Sequence, residues 1–337
     1  KEGRFSPAVV YDGDTPVEYA SVPLTCYEGK GYRRETFESI STLLENYYAS
    51  RDTITRIRQK SSDLRRIVQT ALERSCKKYD LQLKQLKDTE KREKYRIYGE
   101  LLNTYGYELK GGEKSFNCIN YYDNEEITIP LDPQLTAREN AQKHFDKYNK
   151  LKRTYEALSQ LTMETKAEVD HLESVSSALD IALEENDLVQ IKEELMEFGY
   201  VKKRRANEKR PKITSKPFHY IPSDGYDIFV GKNNYQNEEL TFKVASGNDW
   251  WFHAKGIPGS HAIVKSNGQA DLPDRVFEEA GALAAYYSKG RENDKVEIDY
   301  IQKKNIKKVA GAAPGFVIYH TNYSLVASPR CDLKEVK

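Results

Sequence analysis

The sequence predicts an α+β multidomain protein, with a long antiparallel coiled-coil arm, a small tip domain and a mixed α/β C-terminal domain. Two long stretches without proline show helical spacing of apolar residues, which predicts the arm. Short strand patterns and turn residues lie between these stretches and again after the second one. The predicted segments are residues 1–33 (strands), 34–103 (a short helix and the first long helix), 104–135 (tip), 136–200 (second long helix), 201–216 (basic linker) and 217–337 (C-terminal domain).

The first segment contains short strand patterns. Apolar and polar residues alternate over residues 8–11 and 17–22, which is typical of strands. The chain opens on Lys1 just before this pattern, so we interpret it as the C-terminal part of a longer protein. Strands without a sheet to join are only marginally stable, so we expect weak order here. A short helix follows, with five apolar residues on one face: Phe37, Ile40, Leu43, Leu44 and Tyr47.

The two long helices are predicted to pair with each other. Five residues of the second helix lie seven positions apart: Leu151, Leu158, Thr165, Leu172 and Leu179. This heptad spacing predicts a coiled-coil seam. Residues 51–103 carry 15 basic and 8 acidic groups, whereas residues 136–200 carry 8 basic and 14 acidic groups. Opposite charge favours an antiparallel hairpin within one chain, and therefore a monomer; dimerisation through the arm is the alternative, because heptads alone do not fix the partner.

The insert between the helices is predicted to be a small hairpin domain. Residues 118–122 and 127–131 have strand composition, and glycines precede them. Thr136 followed by Glu139 forms a capping box that restarts the helix. Six tyrosines lie in or beside the insert: Tyr95, Tyr98, Tyr105, Tyr107, Tyr121 and Tyr122. We expect them to cover a small core, with an exposed aromatic surface for a protein partner as the alternative.

Composition argues against several classes of protein. The four cysteines are far apart and form no C-x-x-C pair, which indicates a reducing compartment without disulfides. No signal peptide or apolar run of spanning length is recognisable, so we expect a cytoplasmic protein without a membrane partner. His253 and His261 lack a carboxylate or thiol at ligand spacing, so no metal or other cofactor is expected. A hydrolase built on His253, Asp249 and Ser260 would lack a nucleophile elbow, so we do not expect an enzyme.

Residues 227–261 combine amides, aromatic residues, lysines and glycines, a mixture suited to RNA. Amides donate and accept hydrogen bonds, aromatic rings stack on bases, and glycine permits close approach to phosphate. The candidate contacts are Lys232, Asn233, Asn234, Gln236, Asn237, Lys243, Trp250, His253, Lys255, Ser260 and His261. Taken singly, such asparagines are more usual in turns and caps, and Trp250 in a core. Asn237 in particular is predicted to cap a helix, whereas the clustering favours RNA.

Lysines supply a second candidate contact region. Lys303, Lys304, Lys307 and Lys308 follow a predicted strand beside a glycine-rich turn at residues 311–315. Lysines next to exposed backbone amides suit phosphate, although a solvated lysine face explains the spacing equally well. The linker adds eight basic residues, for which we expect weak order and attraction to phosphate. They are Lys202, Lys203, Arg204, Arg205, Lys209, Arg210, Lys212 and Lys216.

These motifs resemble the NFACT family. Residues 227–261, 283–291, 295–300 and 308–319 resemble its RNA-binding domain in the expected order, and residues 93–102 resemble its middle domain. The resemblance covers nearly the whole chain. It implies a ribosome quality-control factor that binds the large (50S) subunit with an obstructed nascent chain, holds tRNA and promotes C-terminal alanine tailing. Since the family's tRNA-handling residues lie mostly in its N-terminal domain, this region is not expected to elongate chains alone.

The same resemblance carries an alternative. Some family members are named fibronectin-binding protein A, which implies a surface adhesin of a Gram-positive bacterium with fibronectin as its partner. An extended arm with a tyrosine-rich tip could bind a protein. The adhesin would be located at the cell surface, and the lack of a recognisable export signal in the sequence argues against it.

Overall fold

The structure is a computed structural model that describes residues 5–12, 15–30, 32–205, 209, 211–222, 224–269 and 272–336. Arg210 of the basic linker lies outside these residues. The chain divides into two compact units. The first unit comprises Lys1–Leu72 and Asp170–Lys337, and the second comprises Glu73–Val169.

A three-stranded antiparallel sheet opens the first unit. Its strands are β1 (Ala8–Asp12), β2 (Thr15–Ala20) and β3 (Arg33–Thr36), in the order β2-β1-β3. Val9 and Tyr11 of β1 pack on Leu43 and Tyr47, near the start of helix α1 (Ile40–Asp88). The predicted strands therefore have a sheet and a helix to pack against. The predicted short helix is not separate, since α1 runs on without a break.

Three helical segments form the second core of the first unit. Helix α3 (Ala137–Ile181) is followed by α4 (Glu185–Glu197), so the predicted single helix over residues 136–200 is interrupted. The Asp187 side chain accepts the backbone N–H groups of Leu183 and Glu184 there, at 3.1 and 3.0 Å, which caps α4. The buried residues of this core are Ile57, Leu64, Val68, Leu172, Val175, Ala178, Leu179, Ala182, Leu188, Ile191 and Leu195.

The second unit contains the predicted insert. Helix α2 (Arg92–Tyr105) is followed by a hairpin of β4 (Ser115–Ile119) and β5 (Glu126–Pro130), so the first strand begins three residues before its predicted position. The capping box is confirmed, because Thr136 N–H donates to Glu139 at 2.8 Å and Glu139 N–H donates to Thr136 Oγ1 at 3.3 Å. Tyr95, Tyr98 and Tyr105 pack in the core of this unit, whereas Tyr107, Tyr121 and Tyr122 are exposed.

Polar residues occupy the buried face of α1 in the second unit. Ser75, Gln82 and Thr89 lie seven positions apart and are buried, as is Thr165 of the α3 heptad. The neighbouring Leu83 is 40% exposed. If the buried face is assigned from apolar residues alone, the assignment is therefore displaced by one position in this part of the helix.

The C-terminal domain is built on a six-stranded sheet in the order β13-β10-β8-β9-β7-β6. The strands are β6 (Phe218–Tyr220), β7 (Ile228–Val230), β8 (Trp250–Ala254), β9 (Ala262–Val264), β10 (Val296–Gln302) and β13 (Tyr323–Ala327). Every pairing between them is antiparallel. A separate ribbon pairs β11 (Lys307–Lys308) with β12 (Val317–Ile318).

Helices cover both faces of this sheet. Helix α6 (Asp274–Tyr286) packs on one face through Val276 and Leu283. On the other face, the short helix α5 (Asn234–Glu239) continues into a π-helical turn (Leu240–Val244), and Leu240 packs on Trp251. The amide-rich motif thus begins the helix that closes one side of the domain.

Candidate nucleic-acid interface

The amide-rich motif starts with a helix cap. Asn233 has extended backbone geometry, and its side chain accepts the N–H of Gln236 at 3.1 Å, so Asn233 is the N-cap of α5. The predicted cap, Asn237, was wrong, because it lies inside the turn and donates its N–H to the carbonyl oxygen of Asn233 at 2.9 Å. A Cβ at Gly231 would lie 2.2 Å from Asn237 Oδ1, so only glycine fits there.

The amide side chains of α5 bond to α4 and not to solvent. Asn233 Nδ2 donates to Gln190 Oε1 at 2.9 Å. Gln236 Nε2 donates to Ser215 Oγ at 2.9 Å and to Gln190 Oε1 at 3.3 Å. Because Asn233 and Gln236 are buried and their donors are engaged within the protein, they offer no contact face to RNA in this arrangement.

Asn234 binds a buried carboxylate. Its Nδ2 donates to Glu194 Oε1 at 2.7 Å and to Ser174 Oγ at 2.8 Å. His171 Nε2 lies 2.8 Å from the same Glu194 oxygen. Glu194 has no exposed surface, and its Oε2 has no hydrogen-bond partner among the described residues. Asn234 therefore supplies part of the compensation that a buried carboxylate requires.

Lys232 is engaged in the same way with Asp187, which is fully buried. Lys232 Nζ lies 3.4 Å from Asp187 Oδ1 and 4.5 Å from the centroid of the Phe218 ring. Ser215 Oγ donates to Asp187 Oδ1 at 2.6 Å, which anchors the end of the basic linker. We name this set the buried amide network: Lys232, Asn233, Asn234 and Gln236 with Asp187, Gln190, Glu194 and Ser215.

Of the two histidines of the motif, His261 is buried and His253 is half-buried. Burial lowers the pKa of His253 to about 4 and lowers the pKa of His261 well below its usual value, so both are neutral near pH 7. His261 Nδ1 lies 2.7 Å from Thr241 Oγ1, and the backbone N–H of His261 donates to Asn237 Oδ1 at 3.0 Å. No group of three metal-ligating side chains occurs in the described ranges, nor does any helix there have the length and apolar character needed to cross a membrane.

Trp250 and Ser260 are likewise engaged in packing. Trp250 is half-buried, with ring centroids of Phe277 and Tyr300 at 5.0 and 5.8 Å. Ser260 is buried, and its N–H donates to the carbonyl oxygen of Tyr287 at 2.9 Å. The packing of Trp250 agrees with its alternative interpretation as a core residue.

The predicted lysines fall into two groups. Lys308 Nζ binds Glu238 at 2.6 Å, and Lys255 binds Glu297, which raises the pKa of Lys255. By contrast, four lysines make no ion pair or side-chain hydrogen bond with any residue that the structure describes. We name them the surface lysine set: Lys243, Lys303, Lys304 and Lys307. Lys303 is half-buried and the other three are exposed.

The glycine-rich turn does not lie beside all four predicted lysines. The N–H of Gly315 donates to Glu238 Oε2 at 3.4 Å, close to Lys308. The N–H groups of Lys303 and Lys304 instead donate to the carbonyl oxygens of Asp249 and Gly247, at 2.9 and 3.0 Å. Lys303 and Lys304 therefore adjoin the turn at residues 246–249.

Sequence reasoning also missed Asp187, Gln190 and Glu194. These residues occupy the face of α4 that meets α5. In the sequence, two carboxylates and an amide within an acidic helix are typical of an exposed face. One weak sequence signal pointed to Asp187. Glu184 and Asp187 have the spacing of an N-cap and its N3 partner, just after the heptad pattern of α3 ends.

Two family descriptions match the chain. "NFACT N-terminal and middle domains" matches residues 1–214, and "NFACT protein RNA binding domain" matches residues 216–320. A solved structure described as the C-terminal part of the fibronectin/fibrinogen-binding protein from Streptococcus suis is also similar. It is 38% identical, has a TM-score of 0.63, and the match covers 82% of this chain and 97% of that one.

Curated relatives extend the similarity. The Rqc2 homolog RqcH of Streptococcus suis (strain 05ZYH33) is 42% identical over 326 residues, which are 96% of this chain and 57% of that protein. The Rqc2 homolog RqcH of Bacillus subtilis (strain 168) is 35% identical over 336 residues, 98% of this chain and 58% of that protein. The chain thus spans less than three fifths of the length of these relatives. The chain belongs to the NFACT family and carries its RNA-binding domain.

Proposed function

We propose that this region is the ribosome-binding part of an RqcH-like quality-control factor. In this role it binds the large (50S) subunit that carries an obstructed nascent chain and tRNA, and it supports C-terminal alanine tailing in the cytoplasm. The observation that carries the proposal is the surface lysine set, four cations without a described anionic partner on an RNA-binding domain. When an unpaired lysine neutralises a phosphate, the counterion held by that phosphate is released. This release is the main source of affinity for nucleic acid that does not depend on sequence.

The two long helices would act in this proposal as an antiparallel coiled-coil arm with a tip domain. Ion pairs of the first unit support the antiparallel order: Lys60 contacts Glu185, whereas Arg65, five residues later, contacts Asp180. The apolar contacts between α1 and α3 support pairing within one chain, and therefore a monomer. The region itself would perform no chemistry and need no cofactor, because its role is to bind and position RNA.

Sedimentation with purified 50S subunits through a sucrose cushion tests the proposal. We expect the chain to sediment with the subunit at low salt. If four phosphate contacts are made, affinity should fall about a hundredfold between about 50 and 200 mM KCl. Salt-independent binding, or no binding at low salt, would contradict the proposal.

Fibronectin binding is a second candidate, favoured by one observation. The similar solved structure belongs to a protein named for binding fibronectin and fibrinogen, and it matches 82% of this chain. The exposed Tyr107, Tyr121 and Tyr122 would suit a protein partner. Saturable fibronectin binding that persists after nuclease treatment would support this candidate.

A further inference from the structure

A cleft lies beside Lys303 and Lys304 of the surface lysine set. Two turns line it, Ser246–Asp249 after the π-helical turn and Lys265–Gly268 after β9, and its volume is about 460 Å³. Both turns precede or follow strands at the centre of the main sheet, β8 and β9, so the cleft has a rigid base.

Asp249 holds the two turns together. Its Oδ2 accepts the N–H of Ser246 at 2.7 Å and binds Lys265, and its Oδ1 accepts the N–H and the hydroxyl of Ser266 at 2.9 and 3.1 Å. Burial alone would raise the pKa of Asp249, but these hydrogen bonds lower it, so the carboxylate is ionised near neutral pH. Asp249 is the one acidic residue among the described residues that line the cleft, and its charge is neutralised because Lys265 pairs with it.

Several backbone N–H groups of the two turns have no acceptor among the described residues. The backbone N–H groups of Gly247, Asn248, Asn267 and Gly268 donate to no residue that the structure describes. Asn267 and Gly268 have φ angles of 51° and 82°, in the left-handed region. Successive N–H groups in such turns form concave sites for anions.

Unpaired positive charge adjoins the same cleft. The backbones of Lys303 and Lys304 bond to Asp249 and Gly247 of the first turn, as described above. Lys243 lies three residues before Ser246, and Lys265 Nζ donates to the carbonyl oxygen of Val244 at 3.0 Å. These backbone contacts place Lys303 and Lys304 of the surface lysine set beside the cleft, and Lys243 lies close to it along the chain.

We propose that the cleft between Ser246–Asp249 and Lys265–Gly268 binds a backbone phosphate of RNA, with Lys303 and Lys304 at its rim. This inference rests on the proposed function and gives it a location. Uncommitted N–H groups would hold the phosphate, and the lysines would hold the neighbouring phosphates of the same strand. A free phosphate or mononucleotide has the same anionic group, but it would use only part of this charged surface.

Fluorescence anisotropy with a labelled oligouridylate and the whole chain tests the site. Two variants disrupt it in different ways: Lys303→Glu with Lys304→Glu reverses its charge, and Asn248→Trp adds bulk to an exposed lining residue without changing charge. Lys295→Glu is the matched control, because Lys295 is exposed, unpaired among the described residues and at the opposite end of β10, roughly 25 Å from Lys303.

We expect the double lysine variant to weaken oligouridylate binding about tenfold or more and to reduce the salt slope by about 2. Asn248→Trp should weaken binding several-fold with an unchanged salt slope, and Lys295→Glu should change affinity less than about twofold. In ¹H–¹⁵N spectra, the amide signals of Gly247 and Gly268 should shift when oligouridylate is added and should shift much less with Asn248→Trp.

Other results would overturn the site. If wild type binds oligouridylate but both disrupting variants bind as tightly, the cleft is not the contact, while the proposed ribosome binding stands. Equal losses in the two lysine variants with none in Asn248→Trp would show a diffuse charge effect. If inorganic phosphate or uridine monophosphate shifts the Gly247 and Gly268 signals as strongly as RNA, the site is one for free phosphate. Failure of wild type to bind either oligouridylate or 50S subunits would instead refute the proposed function.

Discussion

Four residues of the buried amide network (Lys232, Asn233, Asn234 and Gln236) lie in the same RNA-binding domain as the surface lysine set, and both groups were predicted to contact RNA. In the network, the Asn233, Asn234 and Gln236 amides donate to side chains of α3, α4 and the linker. In the surface lysine set, no described side chain accepts from the ammonium groups. Residue type is therefore a poor guide to contact here, whereas an account of hydrogen-bond partners separates the two regions.

The difference follows from the cost of burial. A polar group removed from water must find a partner, so a dense cluster of amides inside a protein specifies one arrangement of the segments that contribute to it. A lysine at the surface keeps its hydration and stays available to a phosphate. The network therefore positions the RNA-binding domain against α3 and α4, while the surface lysines stay available for the proposed contact with RNA.

The largest expected effect is the loss of Asp187. Asp187→Ala would leave Lys232 buried without its counterion and would remove half of the capping box of α4, so we expect the free energy of unfolding to fall by about 3 to 5 kcal/mol. Urea denaturation measures this. The control is Glu185→Ala in the same helix, which removes only exposed ion pairs and should cost less than about 1 kcal/mol. Equal losses of unfolding free energy in the two variants would show that the buried amide network does not stabilise the fold.

Charge reversal of the surface lysine set should lower affinity for the 50S subunit and leave stability nearly unchanged. With Lys243, Lys303, Lys304 and Lys307 changed to Glu, we expect affinity for 50S subunits to fall about a hundredfold, or about 2.7 kcal/mol. Stability should change by less than about 0.5 kcal/mol, because these side chains have no described partners.

A second quadruple variant controls for net charge. Lys77, Lys78, Lys84 and Lys87 of α1 are exposed, and changing them to Glu alters the charge of the chain by the same amount. A similar fall in 50S affinity in this variant would mean that total charge, or the arm, accounts for the binding.

Acid should weaken the interior of the domain. His253 has a pKa of about 4 in the folded protein and about 6.5 when unfolded, so the unfolded chain binds more protons between these values. Stability contributed by neutral His253 is complete above pH 6.5 and falls as the pH decreases toward 4, by about 2 kcal/mol at pH 5. Urea midpoints at pH 7.5 and pH 5 measure this. His253→Gln should lose less stability over the same interval, and an equal loss would assign the effect to other groups.

Asn234→Ala should have the smallest of these effects. It removes one donor from buried Glu194, so we expect a loss of about 1 to 2 kcal/mol with unchanged RNA affinity. Combining it with Glu194→Gln, which removes the buried charge, should cost less than the sum of the single changes. Asn322→Ala at an exposed position is the control and should change stability by less than about 0.5 kcal/mol. Reduced RNA binding by folded Asn234→Ala would instead restore a direct contact for this residue.

Local signals predicted much of the fold. The Thr136 capping box and the hairpin insert between the long helices both depend on neighbouring residues. The burial of the amides depends on residues about 40 positions earlier, since Asn233 meets Gln190 and Asn234 meets Glu194. No local pattern shows such pairing. The choice between Asn233 and Asn237 as the cap was similarly open, because both precede helical sequence.

Asp187 joins three stretches of chain, since its two oxygens accept from the start of α4, from Ser215 and from Lys232. The family boundary between residues 214 and 216 therefore divides the polypeptide where the three-dimensional structure is continuous. A chimera that exchanges the RNA-binding domain between relatives at that boundary would separate Lys232 from its own carboxylate. Carrying α4 along with the exchanged domain would keep the donor and acceptor from one parent.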